Sequence, residues 1–381
     1  FYTGGDMKRS KSRENEEDES PDAKKRATKL SPVEGRSPVP NSQLSIHVNN
    51  GSKIDMPCIG FGTYKFKGSG VAYRATLEAL RAGYRLIDTA FVYGGEKTEA
   101  EVGHAVKTAI SDTKGGVPGL TREDVFIVTK HWRSFHGYDP TLQCLNKSLK
   151  RLEVDYVDLW LMHWPGPAYH TMARKKEVIE NSPDGAFVYA KSGHERENIR
   201  ALRAETWRAM EDALRSGKCR AIGVSNFTRA HLEALKETAT IWPPAVNQVE
   251  LHPYHQQRQV VDYCAQEGIV VQAYASLGGQ DAGKGQLKEL GGSLLEAEPV
   301  ADAAARHEKT TAQVLLRWAV QKGIAVIPKS RSASRMASNH ALLDWVLSPD
   351  DMAAIDAMDR PSAEEGRLCW KRDPLRFLDF E

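Results

Sequence analysis

Arg85–Glu96 reads RLIDTAFVYGGE: a short apolar run, Leu86 and Ile87, stops on Asp88, and Tyr93 follows on the next loop. A strand tip bearing a carboxylate, then a loop bearing a phenol, puts two ionisable groups at one mouth. A phenol with a pKa of about 10 is a poor acid at neutral pH. A lysine beside it would stabilise the phenolate and lower that value. The next apolar run, VFIVTK, closes on Lys130, and the one after it, VDLWLMH, closes on His163. Asp88, Tyr93, Lys130 and His163 thus form a candidate proton-donating cluster.

The same grammar repeats outward along the chain. Upstream, Leu44, Ile46 and Val48 alternate, Asn50-Gly51 supplies a positive-φ turn, and a second short strand follows, which reads as a hairpin. Cys58–Thr63 precedes a helix expected over Val71–Ala82 and stopped by Gly83. Tyr84–Asp88 precedes a helix over about Lys97–Ile110. Val125–Lys130 precedes one expected to open at Asp139-Pro140, a cap with proline in the first turn, and to bury Leu142, Leu145, Leu149 and Leu152. Val157–His163 leads through the long connection Gly166–Glu205 to a helix near Ala204–Ser216. Ala221–Asn226, Ala245–Glu250, Ile269–Tyr274 and Ile324–Ser330 supply four more strands. Eight strand–helix units with uninterrupted apolar runs predict an α/β fold, a (β/α)8 TIM barrel rather than an open sheet. The polar residues singled out sit where the runs end, the face on which such barrels carry chemistry.

The 381 residues are 41% apolar and 27% charged, with a formal net charge of +2. That balance gives no case for a nucleic-acid partner. No apolar run approaches the ~18 residues of a membrane span, and no secretory signal opens the chain. The cysteines Cys58, Cys144, Cys219, Cys264 and Cys369 are scattered, odd in number and free of CxxC spacing. They favour a reducing, cytoplasmic compartment and argue against a metal site. Residues 1–43 are rich in charge, Ser and Pro and are expected to be a disordered tail ahead of a domain over 44–381. Met7 is read as the natural start, after FYTGGD. Lys8-Arg9 and Lys24-Lys25-Arg26 have the look of a split nuclear-import signal, against the plainer reading of a solvated charge run. Ser20, Ser31 and Ser37 precede prolines and are phosphorylation candidates of low specificity.

A single carboxylate or histidine closing a strand is more often a buried structural group than a catalyst. The ordered set Asp88-Thr89-Ala90 with Tyr93-Gly94, then Thr129-Lys130, then His163-Trp164-Pro165 resembles the aldo-keto reductases, and the resemblance runs from about Ile46 to the C-terminus. It implies that the hairpin caps the barrel floor, that Tyr93 donates a proton to a substrate carbonyl, and that Lys130 lowers its pKa. It further implies that Asp88 holds Lys130 and His163 orients the carbonyl oxygen. The chemistry agrees, since hydride arriving at carbon makes an alkoxide that a preorganised donor and a cation stabilise.

By the same resemblance Ser225, Asn226 and Gln248 contact a nicotinamide carboxamide, and Tyr274 stacks on its ring. Ser276 and Leu277 belong to a pyrophosphate clasp. Lys329, Ser330 and Arg335 resemble a site for the adenosine 2′-phosphate, which favours NADPH over NADH, and Asn339 matches an adenine contact. The chain departs from the family at Ser338, where an acidic or amide residue is usual, and at Ala275-Ser276, where Ser-Pro is usual. Tyr64, Trp132 and Trp164 are expected to wall the substrate mouth, with Tyr64 in place of a common tryptophan. Phe187-Val188-Tyr189 in the long connection is a candidate lid or a plain surface insertion. Trp370 and Phe377–Phe380 either fold over the mouth or pack outside. The expectation is an NADPH-dependent, monomeric reductase of aldehydes, α-dicarbonyls and reactive ketones. The rival is a cofactor-sensing regulatory subunit on the same fold, as in the family's potassium-channel β-subunits.

Other patterns are decoys. Tyr93–Lys97 fits YxxxK of the short-chain dehydrogenases, yet no GxGxxG opens the chain. Gly60-Phe61-Gly62 is only GxG. Gly278–Lys284 fits GxxxxGK, but Gly285 replaces the Ser or Thr that would hold magnesium.

Overall fold

The computed structural model describes residues 43–48, 52–95, 97–111, 115–167, 196–279, 292–360 and 362–369. The charged tail before Gln43, the Asn50-Gly51 turn, Phe187–Tyr189, Gln280–Lys284, Trp370 and Phe377–Phe380 lie outside them.

Two strands, β1 (Gln43–His47) and β2 (Lys53–Pro57), pair antiparallel with Ile46 opposite Ile54. Eight parallel strands follow: β3 (Gly60–Gly62), β4 (Leu86–Asp88), β5 (Phe126–His131), β6 (Val157–Met162), β7 (Cys219–Ser225), β8 (Val246–Glu250), β9 (Val270–Tyr274) and β10 (Ala325–Val326). Each pairs with its sequence neighbour. A parallel bridge between Ile59 and Val326, with Val326 N donating to Cys58 O at 2.8 Å and Gly62 N to Pro328 O at 3.1 Å, closes the ring. The closure explains Gly60 and Gly62: a Cβ on Gly62 would lie 2.7 Å from the Ile327 carbonyl oxygen, so the GxG serves strand approach.

The helices are α1 (Val71–Arg81), α2 (Lys97–Ala109), α3 (Tyr138–Leu152), α4 (Arg196–Arg215), α5 (Arg229–Lys236), α6 (Arg258–Glu267), α7 (Glu298–His307), α8 (Thr311–Gln321), α9 (Ala333–His340), α10 (Pro349–Asp356) and α11 (Ala363–Gly366). Two boundaries correct the sequence reading. Gly137, not Asp139, caps α3, with φ of 103°, and Thr206 Oγ1 accepts its N–H at 2.9 Å, so the helix opens early. Leu142 on that helix is only half-buried. The helix expected near Ala204 begins at Arg196; Arg203 is buried where the periodicity asks for an apolar residue, so the apolar pattern breaks over the first turns.

Alternation along each strand divides two cores. Ile87, Ile127, Trp160, Ile222, Val249 and Val271 pack outward against the helices. Leu86, Phe126, Val128, Leu159, Leu161, Ala221, Val246 and Ala325 fill the interior, and Ile46 and Met56 of the hairpin belong to that same cluster. The hairpin is the barrel's floor plug, as the resemblance implied. Counting upward in twos along the inward set gives Asp88, Lys130, His163, Ser225, Gln248, Gln272 and Tyr274. The interior is hydrocarbon below and polar above.

Candidate active site

Asp88 ends β4 and Lys130 is on β5, both almost wholly buried, at 2% and 0% exposed. Lys130 Nζ donates to Asp88 Oδ1 at 2.7 Å, to the Thr89 carbonyl at 2.9 Å and to Tyr93 Oη at 3.2 Å. An ammonium has three hydrogens, so all are engaged. The Tyr93 oxygen accepts one of them, and its own O–H must therefore point away from Lys130. The Tyr93 and His163 rings meet edge to face at 5.9 Å. The four members of the candidate cluster are brought together.

Burial, then the Asp88 charge and the Tyr64 and Tyr274 phenols, hold Tyr93 well above the ordinary phenol value. The net direction is upward even with the Lys130 ammonium at hydrogen-bond distance. Burial pulls Lys130 down, Asp88 opposes that pull and balances its charge, and the cost of burying a phenolate wins. Burial, followed by Lys130, His131 and Arg133, keeps His163 well below its ordinary value, so its imidazole is neutral. Its Nδ1 is buried with no hydrogen-bond partner.

The three aromatic residues expected at the mouth gather round the cluster. Tyr64 lies 4.9 Å from the Tyr93 ring, Trp132 lies 5.5 Å from His163, and Trp164 stacks on His163 at 6.3 Å.

On the opposite side, Ser225, Asn226, Gln248 and Tyr274 converge. Gln248 Nε2 donates to Asp88 Oδ2 at 2.8 Å and to Gln272 Oε1 at 2.6 Å. A carboxylate only accepts, so the amide orientation is fixed and Gln248 Oε1 remains to meet an incoming N–H. Asn226 is held left-handed, with φ of 64°; it accepts from Tyr274 Oη at 2.8 Å and donates to the His163 carbonyl at 2.9 Å and to Ser225 Oγ at 3.1 Å. Ser225 Oγ donates to the Gln248 carbonyl. This donor and acceptor set, beside a half-exposed tyrosine ring, fits the carboxamide and ring of a nicotinamide.

The expected clasp is weaker. Ser276 Oγ donates to the Ala273 carbonyl at 3.2 Å, and Leu277 packs on the outer core. At β10's end, Lys329 lies over the Phe66 ring at 5.7 Å, while Ser330 accepts from Ser332 N at 3.0 Å. Ser332 caps α9, on which Arg335 is exposed and Asn339 buried. Arg331 and Arg335 form no ion pair among the described residues. Two arginines and a lysine around the N-terminus of α9 suit a phosphate dianion.

Sequence reasoning missed Gln272 and Arg331. Gln272 carries a signal, a lone amide inside VVQAY; Arg331 is one more cation in the run KSRSASR.

The family model "Aldo/keto reductase family" matches residues 58–360. The chain is 36% identical over 316 residues to glyoxal reductase of Bacillus subtilis, covering 83% of this chain and 93% of that one. It is 39% identical over 333 residues to NAD(P)H-dependent D-xylose reductase of Scheffersomyces stipitis, covering 87% and 99%. An aldo-keto reductase enzyme from a Medee basin deep-sea metagenome library superposes with a TM-score of 0.64 at 36% identity, covering 82% of this chain and 94% of that one. With the fold, the polar upper layer and these relatives in agreement, the chain belongs to the aldo/keto reductase family, a family of oxidoreductases that use nicotinamide cofactors.

Proposed function

We propose that this protein reduces aldehydes, α-dicarbonyls and reactive ketones to alcohols, with NADPH as reductant and Tyr93 as proton donor. The observation that carries the reading is the hydrogen bond from Lys130 Nζ to Tyr93 Oη, with Asp88 behind it. NADPH bound in this cleft supplies the hydride. Gln248, Asn226 and Ser225 orient its carboxamide, the Tyr274 ring supports the nicotinamide, and Lys329, Arg331 and Arg335 hold the 2′-phosphate.

Tyr93 gives its proton to the carbonyl oxygen as negative charge gathers there. A phenol held above its ordinary pKa remains a far stronger acid than the alcohol it forms, so the transfer runs downhill. Lys130 acts as the phenolate develops, when its ammonium meets a new charge at hydrogen-bond distance. Neutral His163 offers one N–H to the same carbonyl oxygen and, together with Trp132 and Trp164, shapes a permissive apolar mouth. Glyoxal reductase and xylose reductase among the relatives agree with small, reactive carbonyls.

The test is NADPH oxidation over a panel of aldehydes, with Tyr93→Phe beside wild type. An enzyme loses about 10²–10⁴-fold in turnover while still quenching on NADPH. A cofactor-sensing scaffold shows negligible wild-type turnover and a protein partner in pull-downs. That second result sinks the reading.

A further inference from the structure

The stretch after His163 reads Trp164-Pro165-Gly166-Pro167. Two of these residues have no N–H, so the segment leaves the strand ladder here and its carbonyls need partners from elsewhere. Asn226 Nδ2 takes the His163 carbonyl at 2.9 Å. Arg203 Nε on α4 takes Pro165 at 2.6 Å. Arg133, just after β5, takes Gly166 with Nε at 3.0 Å and Pro167 with Nη2 at 2.6 Å. Four of five consecutive carbonyls are gripped by side chains from three other elements.

Both guanidiniums are buried, Arg133 at 4% and Arg203 at 2% exposed. Arg203 Nη1 and Nη2 have no hydrogen-bond partner, and no described carboxylate pairs with this residue. Burial brings its pKa down to about 10, Arg200 adding to the fall. A buried cation so incompletely bonded is costly, and an apolar side chain in its place, even at the loss of the Pro165 hydrogen bond, would be cheaper to bury. What the arginines touch is the strap carrying the substrate wall: Arg133 lies over the Trp164 ring at 5.2 Å, and Trp164 stacks on His163.

We propose that Arg203 and Arg133 are positioning residues that set Trp164 and His163 against Tyr93, and so decide how closely bulky carbonyl substrates are held. The inference rests on the reductase reading above for its kinetic consequence, not for its structural one. The experiment takes the full chain as wild type, Arg203→Met, Arg203→Lys and Arg133→Met, each also in a Trp164→Phe background. Melting temperature, NADPH affinity and kcat/KM for benzaldehyde and for methylglyoxal are measured, with the Trp164 contribution to emission obtained by difference.

Arg203→Met is expected to melt at or above the wild-type temperature and to bind NADPH unchanged. It should shift the Trp164 emission and lose about tenfold in kcat/KM for benzaldehyde, mainly through KM, with a smaller loss for methylglyoxal. Arg203→Lys, which keeps one donor for the Pro165 carbonyl, recovers most of the loss. A lower melting temperature with equal losses on both aldehydes marks a merely structural residue and overturns the proposal. So does unchanged Trp164 emission in Arg203→Met and Arg133→Met alike. Absence of turnover in wild type sinks the reductase reading instead, and the emission and melting data then decide the positioning claim alone. Should Arg203→Met fail to fold, the proposal is overturned, since the apolar replacement is then not the cheaper one; Arg133→Met reports separately on Trp164.

Discussion

The lower and upper halves of the barrel interior are built from the same strands at the same alternation, yet they obey opposite rules. Below, Leu86, Val128, Leu159, Leu161 and Val246 close on Ile46 and Met56 of the hairpin without a polar atom to satisfy. Two residues further up the same strands stand Asp88, Lys130, His163 and Gln248, and hydrogen bonds to Asp88 from Lys130 and from Gln248 cross the barrel from β4 to β8. The floor is held by area removed from water, roughly 25 cal/mol per Å². The upper layer is held by complementarity, because each buried polar atom without a partner costs ~1–3 kcal/mol. One half specifies the barrel, and the other is kept for its chemistry at some expense in stability.

The sharpest way to break this contrast is to make the upper layer resemble the floor. Lys130→Met leaves the Asp88 carboxylate buried and uncompensated, which should cost about 3–5 kcal/mol of stability together with nearly all turnover. Adding Asp88→Leu removes the stranded charge, so the double variant is expected to melt above Lys130→Met while remaining inactive. The control is Leu159→Ala on the floor, which should cost about 2–5 kcal/mol and leave kcat near wild type. Denaturant titration and aldehyde turnover on these variants decide it. A double variant no more stable than Lys130→Met would show that the pair is an asset to the fold rather than a burden on it.

That contrast was largely legible in the chain. Strict alternation with a switch from aliphatic to polar at each run's end is visible in LID, VTK and LMH, and it puts Asp88, Lys130 and His163 in one layer, with Tyr93 on the loop after the first of them. What the sequence hid has physical causes. Arg203 occupies a buried helix position with a charged side chain, so the pattern that finds α4 from Ala204 onward fails over its first turns. Asp139-Pro140 has cap chemistry, but Gly137, bonded to Thr206 across to α4, sets where α3 opens. The neighbouring cation of Tyr93 is legible in sequence, whereas the full desolvation that raises the phenol's pKa is not. Gln272 sits in a run read as apolar, and only the pairing of β8 with β9, which puts it level with Gln248, reveals its use.

Gln272 sharpens the comparison at its boundary, since it stands one step above the hydrocarbon layer. Its Oε1 fixes one N–H of Gln248 while Asp88 fixes the other, which turns Gln248 Oε1 toward the carboxamide contact proposed above. Gln272→Leu releases that constraint but also removes a buried Nε2 with no partner. Stability is therefore expected to change little. NADPH affinity should weaken by roughly 1 kcal/mol, about fivefold, as read by quenching of protein fluorescence. A loss of stability without a loss of affinity would assign Gln272 to the floor instead.

The smallest expected effect is the absence of one. A histidine in water titrates near 6.5, and a catalytic imidazole so placed would give carbonyl reduction an inflection between about pH 5 and 8. Burial and the nearby cations depress His163, so it is already neutral above its lowered pKa and gains no proton across that window. Tyr93 is shifted the other way: its proton is retained below a raised pKa and lost only as pH climbs through it. The kcat/KM for aldehyde reduction should accordingly stay flat from pH 5 to 8 and fall only on the alkaline side, beyond about 10. An acid limb centred near 6.5 in wild type, abolished in His163→Gln, would mean that the upper layer is wet enough for its histidine to titrate normally. The division between a dry polar layer and a dry apolar one would then fail at its histidine.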